Sequence, residues 1–232
     1  MVIDGRRFGV RQQIATAVVA NAALVALPAV FSCPPWASLA TLVAMTSLAC
    51  AVDVTFTSHV GAMGHPRATS RNADVLDSAR GAALLITLWV GVATTGLATT
   101  RSVAGGCALM LLGVGLRFAA HRSLGEQFRS GAVVAVGDRL ITSGAFSWMR
   151  HPSDTGIVLL ALGAATVCAS AWAGAVAVIV LAPLAIARAR LDDRVLAQAF
   201  GAEFERYRGR VPAVLPHVVF GRGRRELSSK RG

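Results

Sequence analysis

From Gly156 to Ala187 the chain runs for 32 residues without a charged side chain. A helix rises about 1.5 Å per residue and a hydrocarbon core is about 30 Å thick, so one membrane span takes about twenty residues. This block is too long for one span and long enough for a helical hairpin, with its turn expected near Ser170 to Gly174. Four further apolar blocks precede it: Gln12 to Phe31, Trp36 to about Thr57, Gly81 to about Ala98, and Val103 to about Ala120. Together they predict an all-α polytopic membrane protein of about six transmembrane helices. Composition agrees, because only 15% of residues are charged and 54% are hydrophobic, against about 25% charged in soluble domains.

The polar residues lie between these blocks. Ser58 to Arg80 reads as a polar connection, and Arg117 to Thr155 as the longest polar segment. Beyond Ala187 the spacing of Leu191, Val195, Leu196, Ala199 and Phe200 predicts an amphipathic helix, interrupted at Gly201. The organisation expected is three N-terminal spans over 1–100, a core over 101–216, and a disordered basic tail over 217–232. A first apolar block followed by others, with no small-residue cleavage site, reads as a span and not as a cleavable signal.

The net charge is +11, and 22 of the 23 basic residues are arginine. The turns at 32–35 and 169–173 hold no Lys or Arg, and the turn at 99–102 holds only Arg101. All other basic residues fall on the opposite side, which the positive-inside rule makes cytoplasmic. An inner- or plasma-membrane protein with both termini in the cytoplasm is expected, with Trp36 and Trp172 near the outer interface and Trp148 near the inner one. The charges cluster at the ends of apolar blocks, as in a protein meeting anionic lipid, so nucleic acid is not an expected partner. Cys33, Cys50, Cys107 and Cys168 are scattered without a CxxC pair, and His59, His65 and His121 lack ligand spacing. No metal is expected. Asp53, near a span end, reads as a satisfied interfacial or interhelical group, with lining an acceptor path as the alternative, and Gly113-Val-Gly115 as close helix packing in place of a phosphate loop.

One polar stretch, Gly137 to Gly156, carries more than a loop needs: GDRLITSGAFSWMRHPSDTG. Gly137, Gly144 and Gly156 mark expected turns. Arg150, His151 and Pro152 set a fixed cation, a titratable ring and a rigid bend side by side. After the hairpin come the paired acids Asp192 and Asp193, then Leu196, Phe200-Gly201, Glu203, Phe204, Tyr207 and Pro216.

The order of these pieces, with Leu140-Ile141-Thr142, Gly144 and Phe146 ahead of the Arg-His-Pro triplet and Gly156 after it, resembles the isoprenylcysteine carboxyl methyltransferase and phospholipid methyltransferase family over about residues 113–216. The resemblance implies an integral membrane enzyme that binds S-adenosylmethionine without a Rossmann domain, in a cytoplasmic pocket between the 139–152 segment and the region after the hairpin. It implies cofactor contacts from Arg139, Leu140, Ile141, Gly144, Arg150, His151, Pro152, Asp192 and Asp193. Chemistry would fall to Arg150, Asp193 and Asp154, and acceptor contacts to Asp154, Tyr207 and Arg210. The acceptor implied is lipidic or amphipathic, a prenylcysteine-type carboxylate or a lipid amine; nothing bears on oligomeric state. Three positions depart from the family pattern: Asp154 stands where a tyrosine is usual, the paired acids are aspartates in place of glutamates, and Gly144-Ala145-Phe146 replaces Gly-Pro-Tyr. A nicotinamide-dependent membrane reductase of the sterol-reductase type shares the C-terminal architecture, and a non-catalytic scaffold of the same fold is the third reading.

Overall fold

Helices alternate in direction along the chain, as short turns between apolar blocks require. A computed structural model describes Val19 and residues 36–62, 71–127, 134 and 137–214. Its helices are α1 (Trp36–Ala62), α2 (Arg71–Ala93), α3 (Thr100–Leu124), α4 (Pro152–Val167), α5 (Ala171–Phe200) and α6 (Ala202–Arg208). No strand occurs among the described residues. Four stretches are long and apolar enough to cross a membrane: Trp36–Asp53, Asn72–Ala93, Thr100–Leu124 and Ala171–Phe200. Helix α4, at 16 residues, is apolar but shorter. The expected first span, Gln12 to Phe31, and the 217–232 tail lie outside the described residues.

One end of the bundle is stitched by small hydroxyls. Ser38 at the start of α1 donates to the Val167 carbonyl at 3.3 Å. Thr94 Oγ1 and Ser170 Oγ lie 2.6 Å apart, and the Gly96 amide donates to the Cys168 carbonyl at 3.0 Å. This turn end therefore holds the starts of α1, α3 and α5 and the ends of α2 and α4. Arg101 is its basic residue among those described, and the remaining described charges gather toward the opposite, polar end.

Two boundaries differ from expectation, each for a physical reason. The hairpin turns at Cys168 to Ser170, because Ser170 caps α5 by accepting the Ala173 amide at 3.1 Å. The amphipathic segment continues the second hairpin arm, through a π turn at Ala177–Leu181, as far as Gly201 at φ 52°. The polar connection expected over Ser58 to Arg80 is helical from Arg71, because Asp77 and Arg80 find opposite charges inside the bundle and need no loop.

Helices α3 and α4 approach backbone to backbone. A Cβ on Gly106 would lie 2.6 Å from the Gly163 carbonyl oxygen, and one on Gly113 would lie 2.6 Å from that of Gly156. The two glycine pairs are seven residues apart on each helix, so they recur on one face, as small residues do where membrane helices touch. Gly113 thus has the packing role expected of it, whereas a Cβ on Gly115 would meet open space. Gly156 is not a turn residue; it lies inside α4 against α3. Leu42, Leu88, Met110, Val114, Leu160 and Val167 close the core around this pair.

Candidate active site

The Arg-His-Pro triplet enters α4 from the polar end. Pro152 takes the first helical turn, where its missing N–H costs no hydrogen bond. The Arg150 and His151 amides donate to the carbonyls of Pro212 and Ala213 at 2.9 and 3.0 Å. Thr155 Oγ1 donates to the Val214 carbonyl at 3.1 Å. The segment after α6 is thereby laid along the triplet.

Both side chains then cross to α5 and bracket one carboxylate. Arg150 Nη1 lies 2.5 Å from Asp193 Oδ2, and His151 Nε2 lies 2.9 Å from Asp193 Oδ1. Arg150 Nε donates to the Val211 carbonyl at 3.1 Å. Its Nη2 takes no partner among the described residues. Such charge-assisted bonds are short and geometrically specific, so the pair of acids after the hairpin is tied to the triplet before it.

Asp192 turns the other way. It pairs with Arg188 one turn back, and Arg188 Nε reaches Asp77 Oδ1 at 2.9 Å. Asp77 also meets Arg80, and Arg80 meets Asp154. Acids and arginines alternate along this chain, from Asp192 to Asp154, so each charge taken from water has a partner of opposite sign. His151 stands where this chain approaches Asp193, with Nδ1 at 3.9 Å from Asp154 Oδ2. Ligand-capable atoms of His151, Asp154 and Asp192 all lie within 4.8 Å of one another, yet guanidinium groups already satisfy both carboxylates.

The remaining expected site residues are placed as follows. Arg139 is exposed, its carbonyl accepting from Gln127 Nε2 at 3.1 Å, while Leu140 and Ile141 are half-buried. Gly144 has φ 61°, and a Cβ there would come within 2.4 Å of Ser123 Oγ on α3. Asp154 is buried with Arg80 and does not face solvent. Tyr207 is buried too; its hydroxyl donates to the Phe146 carbonyl at 2.7 Å, and burial pushes the phenol up to about 12. Arg210 is exposed, with Nε donating to the Arg206 carbonyl at 3.2 Å.

A second charged centre forms around Asp53, in keeping with its reading as a satisfied group, with partners not singled out from the sequence. Arg117 Nη2 grips both oxygens of Asp53, at 2.8 and 2.6 Å, and His121 Nε2 lies 3.1 Å from Oδ1. Arg117 Nη1 also reaches Ser153 Oγ at 3.2 Å, two positions beyond His151. The available signal was the four-residue spacing of Arg117 and His121, which puts them on one helix face; it was masked by reading Arg117 as the start of a polar segment.

Comparison with known proteins supports a likeness over the C-terminal half. Residues 101–203 match the phospholipid methyltransferase model. Over those residues the chain is similar to this methyltransferase family. A protein-S-isoprenylcysteine O-methyltransferase of Saccharomyces cerevisiae is 29% identical over 125 residues, covering 53% of this chain and 52% of the relative. One from Schizosaccharomyces pombe is 28% identical over 109 residues, covering 41% of this chain and 46% of the relative. The chain spans about half the length of the curated relatives it matches. The methyltransferase match takes in α3, the triplet, the hairpin and Asp193. Asp53, Asp77 and Arg80 precede it, so helices outside the matched region neutralise charges within it.

Proposed function

We propose that this protein is an S-adenosylmethionine-dependent methyltransferase acting on a lipidic or amphipathic acceptor at the cytoplasmic membrane face. The observation that carries this reading is the joint hold of Arg150 and His151 on Asp193, which draws the family's two separated motifs into one cluster. Charge segregation to the polar end supports a cytoplasmic site, by the positive-inside rule.

The donor set suits the cofactor. Arg150 Nη2 has no partner among the described residues and is the natural donor to the cofactor's carboxylate. Asp193, with Asp192 beside it, suits its amino or ribose groups, and Leu140 and Ile141 offer apolar surface to the adenine. His151 and Pro152 fix the loop, while Arg139 and Gly144 shape its approach. When bound, the cofactor supplies a methyl group on a sulfonium, activated for in-line attack. The protein's own contribution is to align the acceptor and keep water out, which together supply much of the acceleration in such transfers.

The acceptor favoured is a prenylcysteine-type carboxylate over a lipid amine. A carboxylate is nucleophilic without losing a proton, whereas an ammonium must first be deprotonated. Asp154, the one departure that would offer a base, is buried against Arg80. The names of both yeast relatives point the same way.

The test is calorimetry with S-adenosylmethionine on detergent-purified protein, beside Arg150→Ala and Asp193→Ala. Saturable binding by the wild type, lost in both variants while each still melts cooperatively, is the expected result. Folded wild type that binds NADPH and not S-adenosylmethionine would turn the assignment to a reductase, and binding of neither would leave a scaffold. Methyl transfer from labelled cofactor to a farnesylcysteine analogue, and not to phosphatidylethanolamine, would then fix the acceptor.

A further inference from the structure

Helices α2 and α5 leave a furrow along their seam, outside the cluster just described. At the polar end Asn72, Leu76, Ala187, Arg190, Leu191 and Arg194 line a hollow of about 320 Å3. Nearer the turn end the same two helices line an apolar hollow of about 420 Å3, with Val90 on α2 and Ile179 and Val180 on α5. Asn72 and Val90 are eighteen residues apart, five full turns at 3.6 residues each, so both hollows open on one face of α2.

The arginines of this furrow differ from the others at the polar end. Arg80, Arg117, Arg150 and Arg188 each hold a carboxylate. Arg190 and Arg194 are exposed and have none among the described residues. They sit one turn apart on α5 with Leu191 between them and Asn72 opposite, two cations and an amide at the rim of an apolar trough. Arginine forks suit phosphate oxygens, and the trough below suits a hydrocarbon chain. From Arg190 back to Val180 is ten residues, about 15 Å of helix and half of a hydrocarbon core of about 30 Å, so a chain anchored at the arginines reaches the near edge of the apolar hollow, whose far end lies in the other leaflet.

We propose that this furrow holds an anionic phospholipid of the surrounding leaflet, its phosphate on Arg190, Arg194 and Asn72 and one acyl chain running past Leu76 and Leu191 toward Val90 and Ile179. The bound lipid ties α5, which carries Asp193, to α2, which carries Asp77 and Arg80. The site does not depend on which reaction the protein performs.

The experiment is native mass spectrometry of the full chain released from phosphatidylcholine micelles titrated with phosphatidylglycerol, with thermal melting in parallel. The wild type is expected to retain one phosphatidylglycerol and to melt higher with it than with phosphatidylcholine alone. Arg190→Gln with Arg194→Gln should weaken that binding about thirtyfold, taking about a tenfold gain for every 1.4 kcal/mol and roughly 1 kcal/mol per arginine near an anionic surface. Neutralising Arg222, Arg224 and Arg225 in the tail should leave it intact. Inorganic phosphate at the same concentration should not displace the lipid. Should the double variant fail to fold, Arg194→Gln alone and a phosphatidylglycerol with a photoreactive acyl chain decide the matter, with cross-links expected in α2 or α5. Binding unchanged in the arginine variants, binding lost with the tail charges, full competition by free phosphate, or cross-links confined to other helices would each overturn the proposal.

Discussion

Two centres in this molecule use the same three residue types. In one, Arg150 and His151 hold Asp193; in the other, Arg117 and His121 hold Asp53. They differ in what surrounds them. The first draws a loop, the α5 helix and the 211–214 segment together, with Arg150 Nη2 unpartnered among the described residues. The second joins two long helices, and the second terminal nitrogen of Arg117 is spent on Ser153. The same residue types thus leave one terminal guanidinium nitrogen without a partner among the described residues in the first centre, and engage both terminal nitrogens in the second. Ser153 and His151 flank Pro152 at the start of α4, so the helix-pairing centre also buttresses the loop that carries the other.

The sharpest way to break this comparison is to make the same change in both centres. Asp193→Asn is expected to weaken S-adenosylmethionine binding on the order of a hundredfold, about 3 kcal/mol, because it leaves a buried cation without its counter-charge. Calorimetry reads that loss, and equal losses from Asp53→Asn would erase the distinction drawn between the centres. Next in size is Gly156→Val. Its Cβ would stand 2.6 Å from the Gly113 carbonyl oxygen and 2.7 Å from Arg117 Cγ, forcing α3 and α4 apart at an expected cost of about 3 kcal/mol in thermal unfolding. Asp53→Asn should cost about 2 kcal/mol of stability through weakened hydrogen bonds to Arg117, with cofactor affinity changed less than about threefold.

The smallest effect belongs to Tyr207→Phe, about 1 kcal/mol for one hydrogen bond to Phe146. Because burial raises the phenol to about 12, the folded state favours the neutral ring. That contribution is whole below the ordinary tyrosine value of about 10 and is lost as pH rises from there through the folded value. Melting curves should therefore separate wild type and variant by a constant amount between pH 6 and 9. Above pH 10 the wild type should lose stability more steeply than the variant. A difference that changed between pH 6 and 9 would mean that Tyr207 acts through a titrating neighbour.

Much of the helix plan was legible because length and apolarity alone specify it. The hairpin over Gly156 to Ala187, the break at Gly201 and the packing role of Gly113 all follow from local rules of rise, backbone freedom and side-chain size. The Arg150, His151 and Asp193 cluster was reachable through the order of motifs. The extent of α2 and the buried state of Asp154 were not, because a charged residue looks the same in sequence whether it faces water or a partner across the bundle. Arg80 and Asp154 are 74 positions apart, and no local pattern couples them. Tyr207, expected to contact the acceptor, donates its hydroxyl to the Phe146 carbonyl, a contact 61 positions distant.

The sequence by itself determined that the chain is a bundle of apolar helices with its charge collected at one end, since those properties are sums over neighbouring residues. Tertiary structure alone decided which charges cancel and which remain open to a ligand. Pairing depends on the rotation and depth of whole helices, and these are set by backbone contact at Gly106 with Gly163 and Gly113 with Gly156. The closeness of those contacts depends on the absence of side chains, and it brings Arg117 to Ser153 and so buttresses the loop from which Arg150 and His151 reach Asp193.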